Sequence, residues 1–294
     1  MNKPASMTGA VPQAVSIETI LPSDMALRAE QAGVRRAAMD PLTLLVLSVV
    51  GGAFISFGAI FATTVMAGTG ALPYGAARLL IGVAFTTGLI TVIVAGAELF
   101  TGNNLIVMAW ANGKVKTRSL LLNWLVSFVG NCAGAMATAA LMFFTTQYTF
   151  GAGAVGLAAL TTANSKAALG FVPALTLGIM CNALVCLAVW MCYGARTTVD
   201  RVVIIIPPIA AFVAAGFEHS IANAFFIPMG LFIKAGAGEP FWAAIGKTAA
   251  DFPDLTWANF LGNLLPVTAG NIIGGSLLVG AVYWFVYLRK LRPG

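Results

Sequence analysis

The chain has 294 residues, of which 59% are hydrophobic and only 9% charged, with a net charge of +6, and its mean hydropathy is +0.91. A soluble domain carries roughly 25% charged residues, so this composition excludes an ordinary water-soluble fold and points to the lipid bilayer as the solvent. The positive balance does not indicate nucleic acid, because Lys and Arg stand at the ends of apolar runs and form no basic stripe.

In chain order, residues 1–40 form a polar tail without the apolar run of a cleavable leader. Within it, Pro22 to Met39 predicts a short amphipathic helix, capped by Ser23 or Asp24 and apolar at Met25, Leu27, Ala29, Ala32 and Val34. Such a helix suits the membrane surface. Six apolar segments follow, near 41–67, 76–112, 118–145, 168–194, 201–234 and 256–288, each long enough to span roughly 30 Å of hydrocarbon. Residues 41–290 thus read as one all-α, six-span transmembrane domain, followed by a tail at 291–294. The second and fifth segments are interrupted midway by Gly-containing polar stretches. Of the sixteen Lys and Arg residues, twelve fall with the two termini and the 2–3 and 4–5 loops, and four (Arg78, Lys166, Lys234, Lys247) fall on the other side. The positive-inside rule then places both termini in the cytoplasm. Cys132, Cys181, Cys186 and Cys192 lie within or beside apolar runs and form no CxxC pair, so neither a disulfide framework nor a metal site is indicated.

Two patterns recur in the same order. Gly96-Ala97-Glu98-Leu99-Phe100-Thr101-Gly102-Asn103 and Gly216-Phe217-Glu218-His219-Ser220-Ile221-Ala222-Asn223 share a Gly, a Glu and an Asn at one spacing, offset by 120 residues. Asn123, Gly130-Asn131 and Gly134 match Asn263, Gly270-Asn271 and Gly274, offset by 140. Segments 1–3 and 4–6 therefore read as copies, and because three spans is an odd number the second copy enters the membrane inverted. Breaks in mid-membrane free backbone N–H and C=O groups, which are tolerated only against protein or a water-lined cavity. Two such breaks are expected to face each other near the midplane, with half-helix N-termini favouring an anion.

His219 is the only histidine and lies in the second break. An ionisable group at membrane depth marks a pathway more often than it decorates a core, and imidazole ordinarily titrates near neutral pH, so it can exchange a proton with a permeant. Glu98 and Glu218 take equivalent places in the two breaks and are expected to accept hydrogen bonds from freed N–H groups, with Asn103 and Asn223 as structural partners of the breaks. Thr101 can donate to an anion, and Asn182, inside segment 4, needs a partner such as His219; helix-to-helix hydrogen bonding is the alternative for both. Phe85 and Leu89 share a helix face, and with Phe212 they predict a dewetted constriction about the histidine. Lys166 is either a cation concentrating anions at the external mouth or a solvated lysine. An intramembrane enzyme would need a nucleophile, base and orienter that one histidine and two structural glutamates do not supply. Short tails argue against a nonconducting scaffold or sensor.

Val94 to Asn103, Gly178-Ile179-Met180-Cys181-Asn182-Ala183-Leu184-Val185-Cys186-Leu187-Ala188 and Gly216 to Asn223 resemble the signatures of the formate/nitrite transporter family, and the resemblance extends over about residues 20–290. It implies an aquaporin-like six-helix fold, a homopentamer with one pore per protomer, and a bacterial cytoplasmic membrane location. It further implies conduction of small monovalent anions, formate first, with nitrite or hydrosulfide as alternatives, and no cofactor. By the same resemblance His219 is the central histidine, Thr101 the threonine of the loop breaking helix 2, and Asn182 the asparagine near that histidine. Phe85, Leu89, Leu99 and Phe212 would line the hydrophobic slit, and Lys166 would be the vestibule lysine. One departure is Gly102, where the best-known enterobacterial formate channels carry serine.

Overall fold

The computed structural model describes residues 20–291, so expectations for residues 1–19 and 292–294, Lys3 and Arg292 among them, lie outside the described residues. Among the described residues the elements are helical: α1 (Pro22–Ala37), α2 (Pro41–Ala67), α3 (Tyr74–Ala95), α4 (Phe100–Asn103), α5 (Val107–Ala111), α6 (Thr117–Phe144), α7 (Ala154–Ala167), α8 (Phe171–Cys192), α9 (Thr198–Ala215), α10 (Ser220–Gly236), α11 (Glu239–Ile245) and α12 (Trp257–Ile272). α12 continues through π-type turns to Leu288. Among the described residues six helices are long and apolar enough to cross a membrane: α2, α3, α6, α8, α9 and the run from Trp257 to Leu288.

The two interruptions are present. α3 stops at Ala95 on Gly96, whose φ is +82°, and helix resumes at Phe100. α9 stops at Ala215 on Gly216, with φ +78°, and helix resumes at Ser220. That left-handed backbone disfavours side chains with a Cβ, and glycine there ends each half-helix at one point.

Three expectations need correction. The first residue before α1 is Leu21, which makes no side-chain cap, and Ser23 and Asp24 lie inside the helix. Pro22 explains this, since its fixed φ suits the first helical position and sets the start there. α1 also does more than rest on a surface: Ala26, Ala29, Ala32 and Gly33 are buried, and of its expected apolar residues only Leu27 is exposed. Between segments 3 and 4, where the sequence suggested a connection, stands a full helix, α7.

Small residues bring the helices close. A Cβ on Gly134 of α6 would collide with the carbonyl oxygen of Val49 in α2, and one on Gly274 with that of Ile179 in α8. The α2–α6 and α8–α12 contacts thus rest on glycines at matching places, the small-residue packing expected of helices in lipid. Outward faces carry exposed Phe57, Phe61, Leu125 and Phe285.

Candidate functional site: two helix breaks around a buried histidine

Each break exposes backbone groups that have no helical partner, and each is answered by protein. In the first, Glu98 N–H donates to the Leu47 carbonyl at 3.2 Å. Phe100 N–H donates to Asn131 Oδ1 at 2.8 Å, and Asn131 Nδ2 donates to the carbonyls of Glu98 (2.9 Å) and Ser48 (2.6 Å). The second repeats the scheme. Glu218 N–H donates to Leu177 O at 3.3 Å, Ser220 N–H to Asn271 Oδ1 at 2.9 Å, and Asn271 Nδ2 to Glu218 O (3.0 Å) and Gly178 O (2.9 Å). A carboxamide carries one acceptor oxygen and two N–H donors, so a single side chain closes the one N–H and two carbonyls met at each break.

The glutamates do not take the freed N–H groups, as the sequence suggested; Asn131 and Asn271 do. Glu98 Oε2 instead accepts from Asn103 Nδ2 at 2.8 Å, and its Oε1 lies 3.3 Å from Arg36 Nε. Glu218 Oε2 accepts from Asn223 Nδ2 at 2.6 Å, and its Oε1 is 2.6 Å from Lys166 Nζ. Asn103 also donates to Asn123 Oδ1 (3.0 Å), and Asn223 to Asn263 Oδ1 (2.8 Å). A buried carboxylate is tolerable only when paired and hydrogen-bonded, and both are. Lys166 is therefore neither isolated nor freely solvated.

His219 caps α10: its Nδ1 accepts the Ala222 N–H at 3.1 Å. A backbone amide can only donate, so the neutral ring carries its proton on Nε2. Nε2 lies 3.0 Å from Thr101 Oγ1, joining the two breaks through their side chains. With its oxygen accepting, the Thr101 hydroxyl proton is left to donate, and no further partner for it is found among the described residues. Asn182 does not reach His219. Its Nδ2 donates to Thr101 O (3.3 Å), Asn104 Oδ1 (2.9 Å) and Asn271 O (2.6 Å), so it tethers the break carrying Thr101. Its Oδ1 is buried with no partner among the described residues.

The apolar residues gather at the same place. The Phe85 and Phe212 rings meet edge to face at 5.6 Å, and Phe212 stacks 6.1 Å from the His219 ring. Leu89 and Leu99 are buried in the same apolar cluster. Two cavities flank it. One, of about 290 Å³, has Phe85, Phe212, His219, Arg78, Lys166 and Glu218 in its lining. The other, of about 190 Å³, is bounded by Arg36, Glu98, Val92, Val189, Tyr193 and Arg201. Leu89, Leu99 and Thr101 line neither.

Two charge-lined cavities beside an apolar cluster with one imidazole match the layout of a selective pore. The sequence profile of the formate/nitrite transporter family matches residues 23–285. The chain belongs to this family. Among formate/nitrite transporters it is 46% identical over 274 residues to the formate channel FocA of Escherichia coli K12, covering 93% of this chain and 96% of that one. It is 36% identical to FocA of Haemophilus influenzae, covering 91% and 95%. A solved structure described as a pentameric formate channel with formate bound superposes with a TM-score of 0.81 at 43% identity, covering 85% of this chain and 98% of that chain. Another, described as an ion channel of the same family, gives 0.73 at 27% identity, covering 90% and 99%. As a formate/nitrite transporter the chain is a multi-pass membrane protein from a family that is not enzymatic.

The sequence missed Arg36 and Arg78 as site residues. Arg36 gave no signal beyond its place in a helix thought to be peripheral. Asn131 and Asn271 were visible in the repeat, but their role needed the backbone they close.

Proposed function

We propose that this protein is a channel for small monovalent anions, formate first, in the bacterial cytoplasmic membrane. It works as a homopentamer with one pore per protomer, its two halves inverted in the bilayer. Residues 1–40 and 291–294 form cytoplasmic tails about the channel domain of 41–290. The cavity beside Lys166 then opens outward and the one beside Arg36 inward. Relatives named as formate channels, and a similar pentamer holding formate, support this.

The contact that carries the mechanism is Thr101 Oγ1 to His219 Nε2 at 3.0 Å. The net positive lining of the vestibules gathers the anion. Phe85, Leu89, Leu99 and Phe212 then strip its water, which a bare charge pays for heavily. Thr101, held by Asn182, turns its free hydroxyl proton to the anion as hydration is lost. In acid the ring takes up a second proton on Nδ1, giving up the bond from Ala222 N–H, and passes one proton to formate. Neutral formic acid crosses the slit more easily and releases that proton on the far side, and the ring, again neutral, takes its next proton from hydronium on the side of entry. Passage is channel-like for the anion near neutral pH and proton-coupled in acid.

The test is flux into proteoliposomes across formate, nitrite, hydrosulfide, acetate and lactate at two pH values. Formate flux above protein-free vesicles, ahead of nitrite and hydrosulfide, is expected. Nitrite or hydrosulfide in the lead would reassign the substrate, and no flux at all would sink the channel. His219→Phe and His219→Asn are expected to lose the acid-dependent component; unchanged pH dependence in both would remove the proton role.

A further inference from the structure

Each vestibule holds the same charge set. The outer cavity is lined by Arg78, Lys166 and Glu218, the inner by Arg36, Arg201 and Glu98. In each, one cation is ion-paired with the break glutamate: Lys166 with Glu218 at 2.6 Å, Arg36 with Glu98 at 3.3 Å. The second cation has no carboxylate within 4.0 Å among the described residues, and this holds for both Arg78 and Arg201. Two cations against one carboxylate leave each cavity one positive charge in excess.

The excess arises at matching places. Arg78 stands near the start of α3 and Arg201 near the start of α9. α3 and α9 are the helices that end at the breaks. Arg78 is also braced. Its Nε donates to Ala214 O at 3.0 Å and its Nη2 to Val213 O, in the last turn of α9. Both carbonyls lie at a helix end, where Val213 O also takes the Gly216 N–H, so the side chain is held over the cavity. Two of its five donors are used and its charge is retained.

A paired charge has the short-range field of a dipole, whereas an unpaired one attracts over a Debye length of about 10 Å at 0.1 M salt. We infer that Arg78 and Arg201 are the anion-collecting cations of the outer and inner vestibules, and that Lys166 and Arg36 serve chiefly to hold the break glutamates. The ligand class is a small monovalent oxyanion or carboxylate, met at the mouth before the constriction. This rests on the anion-channel reading and deepens it.

The experiment is formate uptake by right-side-out and inverted membrane vesicles carrying the full chain, at ionic strengths of about 0.01 M and 1 M, where Debye lengths are about 30 Å and 3 Å. Arg78→Gln is expected to slow low-salt uptake about three- to tenfold in right-side-out vesicles, and Arg201→Gln to do so in inverted ones. Both deficits should close at high salt, and Arg78→Lys and Arg201→Lys should keep the wild-type salt dependence. A purely structural role predicts a loss equal at both salts and in both orientations, and that result, or no loss, would overturn the inference. Arg201→Gln carries the test alone if Arg78→Gln does not assemble, since the Arg201 side chain makes no bond that the fold would miss among the described residues. Wild-type vesicles without formate uptake would instead refute the channel reading beneath it.

Discussion

Arg36 and Lys166, 130 residues apart, fill one role in the two halves of the molecule. Each side chain pairs with the glutamate of a helix break, and each backbone carbonyl accepts an asparagine amide, from Asn123 at 3.0 Å and Asn263 at 2.8 Å. The repeat therefore begins earlier than the apolar segments: α1 and α7 are its first elements, each docking a cation onto the break of its own half.

The two pairs differ in burial, and that difference sets their expected worth. Lys166 and Glu218 side chains are 16% and 4% exposed, Arg36 and Glu98 23% and 8%. Removing one partner of a buried pair costs about 3–5 kcal/mol, because the other charge is left uncompensated. Lys166→Met is expected to lower the thermal midpoint in detergent more than Arg36→Met. Adding Glu218→Gln to Lys166→Met should recover a large part of the loss. A double variant no more stable than Lys166→Met would show that the pair is not what holds the break.

Gly102 and Gly134 predict opposite outcomes for one added methyl group. A Cβ on Gly134 would overlap the Val49 carbonyl oxygen, whereas one on Gly102 would meet only Val189 Cγ2 at 3.5 Å. Gly134→Ala should cost about 1–3 kcal/mol by forcing α2 and α6 apart. Gly102→Ala and Gly102→Ser should leave the midpoint unchanged or slightly raised, since glycine is a poor helix former. A Cβ is accommodated here in ordinary contact, so a small side chain at position 102 is not expected to reshape the break. A Gly102→Ser protein with a midpoint as low as Gly134→Ala would contradict this.

How much of this was legible in the sequence follows from what each signal measures. Hydropathy located the six spans within a few residues, because lipid demands continuous apolar length. The offset copies around Glu98 and Glu218 located both interruptions, because the Gly, Glu and Asn each answer a local backbone need. α7 was illegible: Ala154 to Ala167 is short, mixed and only weakly amphipathic, and it becomes a helix against α10 and α2. The partners of Glu98, Glu218 and Asn182 were also illegible, since Arg36, Lys166 and Asn104 reach them from elements distant in sequence.

Asp40 gives a pH-dependent expectation outside the spans. It caps α2, its carboxylate accepting Leu42 N–H at 3.0 Å and Thr43 N–H at 3.2 Å. Hydrogen bonding from the Thr43 side chain first, then from these N–H groups, holds its carboxyl below the ordinary value. A depressed folded-state value means the contribution is fully present above the unfolded value near 3.9 and lost as pH falls through the lower folded value. Asp40→Ala should therefore have a lower midpoint than wild type at pH 7, with the gap closing below about pH 4. Asp40→Asn, which still caps, should hold an intermediate or wild-type midpoint throughout. A gap of constant size down to about pH 3 would show that the charge is not what the cap uses.

Thr101→Val is the sharpest probe of the constriction, because it keeps the volume and removes only the hydroxyl. Two things are lost: the acceptor for His219 Nε2 and the free proton left to donate into the path. A buried donor without a partner costs about 1–3 kcal/mol, and about 1.4 kcal/mol on a barrier is tenfold in rate. Formate flux through Thr101→Val should therefore fall about tenfold or more. Thr101→Ser, which restores the hydroxyl and removes only a methyl group, should recover most of it. Assembly, read as the oligomer's elution volume, should be the same for all three proteins, since Asn182 and Cys186 bond to the Thr101 carbonyl and not to its side chain. Equal flux for Val and Thr at this position would mean that the hydroxyl neither positions the imidazole nor touches the anion.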